Sequence, residues 1–89
     1  RTMLTGTTST GFKYEIEEAQ LDNMELLDAL AEADAGGLLA VSRVCDLMLG
    51  KEQKKRLYDH CRTEAGTVPT GAISREILDI IQDQDQGKN

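Results

Sequence analysis

The polar and apolar positions at the start of the chain predict a β-hairpin. Thr, Ser and Gly dominate residues 2–11, a composition that favours extended and turn backbone. Over residues 12–17, apolar side chains then alternate with charged ones, which is the two-residue period of a half-buried strand. The apolar members of this alternation are Phe12, Tyr14 and Ile16. We expect residues 4–9 to pair with residues 12–17, and the hairpin to pack on the rest of the chain, because an isolated hairpin is marginal in water.

After the hairpin, apolar residues recur with helical spacing in four segments. The first helix begins at Asp22, with Glu25 three residues after this capping side chain, and ends at Gly36-Gly37. The second is expected over about 38–49, the third from Gly50 to about Thr63, and the fourth from about Thr70 to 82. The core-facing positions are predicted to be Leu21, Met24, Leu27, Leu30 or Ala31, Leu38, Val41, Val44, Cys45, Met48, Leu57, Tyr58, Cys61, Ile73, Ile77, Ile80 and Ile81.

These elements predict a mainly α chain of the α+β class: a small bundle of about four short helices with an N-terminal β-hairpin. Its 89 residues leave room for one domain. We expect residues 1–11 to be a flexible or hairpin arm and residues 12–82 to form a single helical domain. Residues 83–89 contain no apolar side chain and are predicted to be a disordered tail.

Composition narrows the setting of the protein. No apolar run approaches the roughly 20 residues that a membrane-spanning helix needs, so we expect no membrane partner. Two cysteines are too few for a disulfide-stapled scaffold, which favours a reducing cytoplasm. A domain of this size buries a small share of its surface, so self-association into a homo-oligomer is also possible.

Charge is divided between two regions of the chain. Residues 13–34 carry eight acids and one base, whereas residues 43–62 carry six bases and three acids. Four of those bases fall within residues 51–56, where Lys51, Lys54 and Lys55 share a helical face. Such a face could meet phosphate groups. The net charge of −6 and the scarcity of aromatic residues disfavour nucleic acid, however, and favour an acidic protein surface.

The residue pair His60-Cys61 is the best candidate for metal or nucleophilic chemistry, because imidazole and thiolate are common zinc ligands and catalytic partners. Adjacent helical residues point about 100° apart, however. Cys45 is sixteen positions away, and no CxxC or HxxxH spacing occurs. We therefore interpret both cysteines as small core residues and His60 as a surface residue, and predict no catalytic, metal-binding or cofactor-binding site.

Four segments carry a family likeness in a fixed order. They are DNMELLDALAE (22–32), LGKEQKKRLYDH (49–60), GTVP (66–69) and ISREI (73–77). Together they resemble the small tail assembly chaperones of long-tailed phages and prophages of Gram-positive bacteria. The resemblance implies a non-enzymatic protein of the bacterial host cytoplasm. Such a protein binds the helices of the tape measure protein, keeps them soluble and helps to recruit tail tube protein before it leaves.

Partner binding of this kind predicts amphipathic helices with apolar grooves and charge. The residues predicted to take part are Leu26, Leu39, Lys51, Lys54, Lys55, Leu57 and Tyr58. Two other functions stay open from the sequence. One is a structural tail connector or completion protein, which would remain in the virion. The other, less favoured by the charge balance, is a small nucleic-acid-binding regulatory domain.

Overall fold

The N-terminal segment forms an antiparallel hairpin in the computed structural model, which describes residues 1–86. Strand β1 (Met3–Thr7) pairs with β2 (Lys13–Glu17), and Leu4 lies opposite Ile16. The inward positions of β2 are buried and the outward positions of both strands are mostly exposed. The predicted hairpin and its alternation are thus confirmed. The alternation arises because side chains of successive strand residues point to opposite faces.

Two helices follow the hairpin. Helix α1 (Glu18–Leu21) is a single turn, and α2 (Met24–Asp34) begins directly after Asn23. The Asn23 Oδ1 accepts a hydrogen bond from the backbone N–H of Glu25 at 3.0 Å. Asn23 is thus the cap, one residue later than the cap that the sequence predicts.

The buried face of α2 differs from the predicted one. Met24 and Leu27 were expected in the core but are 65% and 57% exposed. Leu26 and Ala29 are buried instead, and Leu30 is half-buried beside them. Both sets repeat at helical spacing, so periodicity alone does not choose between them. The observed choice buries Ala29 in the core and packs Ala33, about one turn on, against it.

Helix α3 (Leu39–Cys61) is two helical segments joined at Gly50. Gly50 has φ 79° and ψ 166°, a conformation that residues with a Cβ rarely adopt. The break falls where the sequence predicts one helix to end and the next to begin. The first segment, 39–49, contacts α2, and the second, 51–61, supports the hairpin.

Helix α4 (Thr70–Gln86) is longer than the sequence predicts. The disordered tail was expected to begin at Asp83, yet the helix continues through that residue. The Tyr14 hydroxyl donates to the Asp83 carboxylate, and the Gln84 side-chain amide donates to the Tyr14 oxygen at 2.8 Å. These bonds to β2 hold the extra turn in place. Residues 87–89 of the predicted tail lie outside the described residues.

The core lies between β2, α3 and α4. Its most deeply buried side chains are Ile16, Val44, Cys45, Leu57 and Ile80. Helix α2 packs against α3 beside this core. The fold is therefore the predicted one, a small helical bundle of the α+β class with an N-terminal hairpin.

Candidate functional site

An open apolar groove runs between α2 and α4. At one end, Leu21 and Leu27 lie near Ile81 and Asp85, and at the other end the last turn of α2 lies near Ser74. The two helices therefore run in opposite directions along the groove. From Ser74 to Asp85, α4 advances about 16 Å at 1.5 Å per residue, which is three helical turns.

The floor of the groove is the first segment of α3. Met48 lies under one half of the groove, and Val41 and Val44 lie under the other. Each half is a hollow of about 210 Å³, and Leu30 lines both. The two hollows therefore adjoin at Leu30, one behind the other between α2 and α4.

Exposed leucines form the rim of the groove. Leu27 on α2 is 57% exposed and Leu78 on α4 is 56% exposed. Both line the groove, which leaves large apolar surface in contact with water on each side of it. Apolar surface concentrated in a concave site is typical of a protein-binding surface, whereas single exposed leucines are ordinary.

The structure buries some of the residues that the sequence predicts for partner binding and exposes others. Leu26 and Leu57 are core residues, at 2% and 0% exposure, so neither is available as a surface contact. Although it is buried, Leu26 contributes to the wall of the groove. Leu39, at 93% exposure, is fully available on the surface.

The cationic residues of α3 are partly engaged within the chain. Lys54 Nζ lies 3.2 Å from Asp46 Oδ2 and 5.6 Å from the ring centre of Tyr58. Lys51 and Lys55 are exposed on the same segment. The structure thus brings Lys54 and Tyr58 together, but it directs part of the predicted cationic face to internal contacts.

Two arginines in the same region are also used internally. Arg56 donates to the Lys13 carbonyl at 3.0 Å and lies 4.8 Å from the ring centre of Phe12. Arg62 pairs with Asp59 at 2.9 Å. A continuous phosphate-binding surface would require these charges to face outward together. Within the cationic segment of α3 (residues 51–61), Arg56 supports the hairpin, whereas Lys54 and the neighbouring Arg62 pair with acids of α3 itself.

A cluster of polar side chains lies where the hairpin turn meets α3 and α4. The Thr10 hydroxyl donates to Glu76 Oε2 at 2.8 Å and lies 2.9 Å from His60 Nε2. Because the hydroxyl proton is directed to Glu76, His60 must donate to Thr10. The histidine is thus not placed to remove a proton from Thr10, and the cluster ties the turn to the helices.

The two thiols lie in or against the core. Cys45 is buried, and burial raises the pKa of its thiol to about 11. Burial also raises the pKa of the half-buried Cys61. Both are therefore protonated and poorly nucleophilic at neutral pH. Within residues 1–86, no three or more His, Cys, Asp or Glu side chains are grouped so that they could bind a metal ion.

None of the helices in the described part of the chain has the length and apolar character to cross a membrane. Comparisons with protein-family models, curated proteins and solved structures give no match to this chain. The role of the groove is therefore inferred from its own residues and their arrangement.

Sequence reasoning missed most of the groove. It placed Leu30, Ile77 and Ile81 in a closed core and did not consider Leu78 at all. One signal was available: α2 and α4 each carry apolar residues beyond the stripe that a single contact can cover, as Leu26-Leu27 and Ile77-Leu78 show. The excess residue of each pair is the one on the rim.

Proposed function

We propose that this chain is a non-enzymatic tail assembly chaperone of a long-tailed phage or prophage, and that it holds a helical segment of the tape measure protein in the groove between α2 and α4. The observation that carries the proposal is the groove itself, with the exposed leucines Leu27 and Leu78 on its two sides. The ordered segments that resemble tail assembly chaperones supply the identity of the partner.

The dimensions of the groove suit a helix. A length of about 16 Å accommodates three helical turns, which present apolar anchors at positions i, i+3 or i+4, and i+7. The apolar floor at Val44 and Met48 would receive these anchors, and Leu27 and Leu78 would close over their sides. Burial of this apolar surface would supply the binding free energy.

The proposed role follows from what a long helical partner requires. Before the tail tube surrounds it, a tape measure helix would expose apolar stripes that favour aggregation. Several copies of a small protein with one apolar groove each would cover those stripes in the host cytoplasm. Tail tube protein would then replace the chaperone as the tube grows.

Co-expression with the tape measure protein tests the proposal. We expect the tape measure protein to be more soluble with this chain and to co-purify with it. The variant Leu27→Glu with Leu78→Glu should lose co-purification, because it places charge on both rims. The variant Lys51→Gln with Lys55→Gln changes the net charge by the same amount on the cationic segment of α3 and should retain it.

Two results would contradict the proposal. If the unmodified chain never co-purifies and the tape measure protein is equally soluble alone, the proposed function is wrong. If the lysine variant loses binding and the leucine variant retains it, the partner site is the cationic segment of α3 and not the groove. Circular dichroism of both variants separates loss of binding from loss of fold.

A further inference from the structure

Among the described residues, two charged side chains line the groove, and both are carboxylates. Asp85 lies at the end formed by the start of α2, and Asp34 lies at the opposite end. The remaining lining side chains are apolar, apart from Gln84 and Ser74. The groove therefore has an apolar middle with one negative charge at each end.

Both carboxylates occupy positions that weaken their own helices. Asp34 is the last residue of α2, and Asp85 lies in the last turn of α4. The helix dipole places partial negative charge at a helix C-terminus, so an acid there is unfavourable and a base is favourable. Within residues 1–86, neither helix has a base in its last turn. A cation supplied by a bound partner would offset this repulsion at each end.

We infer that the occupant of the groove is an amphipathic helix with a Lys or Arg at each end of its apolar stripe. The two cations would be separated by about ten or eleven residues, because Asp34 and Asp85 lie at opposite ends of a groove whose α4 wall is about three turns long. This inference rests on the proposed function, since it specifies the chemistry of the helix that the same groove would bind. The aliphatic stems of the cations would cover Leu27 and Leu78 while the charged groups reach the carboxylates.

A second copy of this chain fits the groove less well. The cationic segment of α3 supplies Lys51 and Lys55, which are only one turn apart. The large apolar side chains that are exposed in the described part of the chain all lie outside that segment: Met3, Met24, Leu27, Leu38, Leu39 and Leu78. The segment therefore has cations without the exposed apolar stripe that the groove requires.

Two synthetic peptides test the inference. Both are helical and carry the same leucine stripe, but one has Lys and the other Glu at the two ends of that stripe. We expect the Lys peptide to bind the full chain about tenfold more tightly at low salt, since each of two exposed ion pairs contributes a modest amount. The difference should shrink as salt rises. Fluorescence anisotropy of labelled peptides measures both affinities.

Matched variants locate the effect. Asp34→Asn with Asp85→Asn should remove most of the preference for the Lys peptide. Asp28→Asn with Glu32→Gln removes the same charge from the face of α2 turned away from the groove and should leave the preference almost unchanged. Equal loss in both variants would show a general charge effect and overturn the inference.

The outcomes also separate this inference from the proposed function. If both peptides bind equally, the groove binds helices but the charge requirement is wrong. If neither binds while the tape measure protein still co-purifies, the inference is wrong and the chaperone function stands on another surface. If the Lys peptide binds with the expected preference but the tape measure protein never co-purifies, the inference stands and the assigned partner is wrong.

Discussion

The hairpin side and the α2 side of this molecule are held to α3 in different ways. On the hairpin side, polar contacts accompany apolar packing: the Gln53 side chain bonds both the N–H and the carbonyl of Glu15, and Arg56 bonds the Lys13 carbonyl. On the α2 side, within residues 1–86, the only side-chain hydrogen bonds are the two made by Asn23, the residue that caps α2. Helix α2 is therefore attached mainly by non-directional apolar contact.

This difference indicates that the α2 side of the molecule, and not the hairpin side, is suited to exchange one contact surface for another. A hydrogen-bonded contact can be replaced only by a surface whose donors and acceptors match in position, whereas an apolar contact can be exchanged for another apolar surface. The outer edge of β2 is covered by Gln53 and Arg56, as edge strands generally need to be. The groove beside α2 is left open. Gly50 joins the two segments of α3 and thereby joins the two sides.

The largest effect is expected from truncating the core of the hairpin side. Leu57→Ala should lower the free energy of unfolding by about 2–5 kcal/mol, because the fully buried side chain would leave a cavity. Urea denaturation measures the change. Leu39→Ala removes the same atoms from an exposed position of the same helix and should stay within about 0.5 kcal/mol of the parent. Equal effects would mean that the two positions are not distinguished by burial.

A smaller effect is expected at the polar cluster of the hairpin turn. Thr10→Val removes the donor to the Glu76 carboxylate, and the other oxygen of that buried carboxylate has no hydrogen-bond partner within residues 1–86. The loss should be about 1–3 kcal/mol, the usual cost of leaving a buried polar group unsatisfied. Thermal or urea unfolding measures it. Thr10→Ser keeps the hydroxyl and should restore most of the stability, and a serine variant as unstable as the valine variant would contradict the role of the bond.

Adding a methyl group at Gly50, which joins the two segments of α3, should lower the stability of the fold. Gly50→Ala places a Cβ on a residue with φ 79° and ψ 166° and should cost about 1–3 kcal/mol through backbone strain alone, since no atom of the described residues lies within 4 Å of the new methyl group. Gly71 in the first turn of α4 does not have a positive φ. Gly71→Ala should therefore be neutral or stabilising by about 0.4–1 kcal/mol. If both substitutions changed the free energy of unfolding in the same direction, the positive φ of Gly50 would not be a source of strain.

The fold could be predicted where a local rule decides the outcome. The two-residue alternation before Glu17 fixed the inward face of β2, and the glycine at position 50 marked the break in α3. Neither feature depends on a distant residue. The same is true of the helix start near Asn23, which a side-chain cap determines.

Where distant residues decide, the sequence was insufficient. The face of α2 depends on which of two equally periodic stripes meets α3, and the end of α4 depends on Tyr14, 69 positions away from Asp83 along the chain. The groove required both facts, because its rim combines Leu27, which periodicity assigned to the core, with Leu78, which the predicted stripe of α4 did not include. Its end charges, Asp34 and Asp85, gain meaning only when α2 and α4 are known to run antiparallel.

The smallest effect concerns an exposed contact between the hairpin turn and α4. The Ser9 hydroxyl and backbone N–H both donate to Asp79 Oδ2, at 2.6 and 2.8 Å, and these bonds hold the pKa of Asp79 below its ordinary value. A lowered folded-state pKa stabilises the fold above the ordinary pKa, and this stability is lost as the pH falls through the lowered value. Ser9→Ala should raise the pKa of Asp79 toward its ordinary value and reduce the loss of stability in acid.

Titration of the Asp79 carboxyl carbon by NMR measures this change directly. The rise should be partial, because the backbone N–H of residue 9 still donates after the substitution. Ser42→Ala removes a hydroxyl that bonds Lys54 and should leave the pKa of Asp79 unchanged. An unchanged pKa in Ser9→Ala would mean that the turn does not hold α4 through this carboxylate. The hydrogen-bonded attachment of the hairpin side would then rest on the polar cluster at Thr10 and the contacts of Gln53, Arg56 and Tyr14.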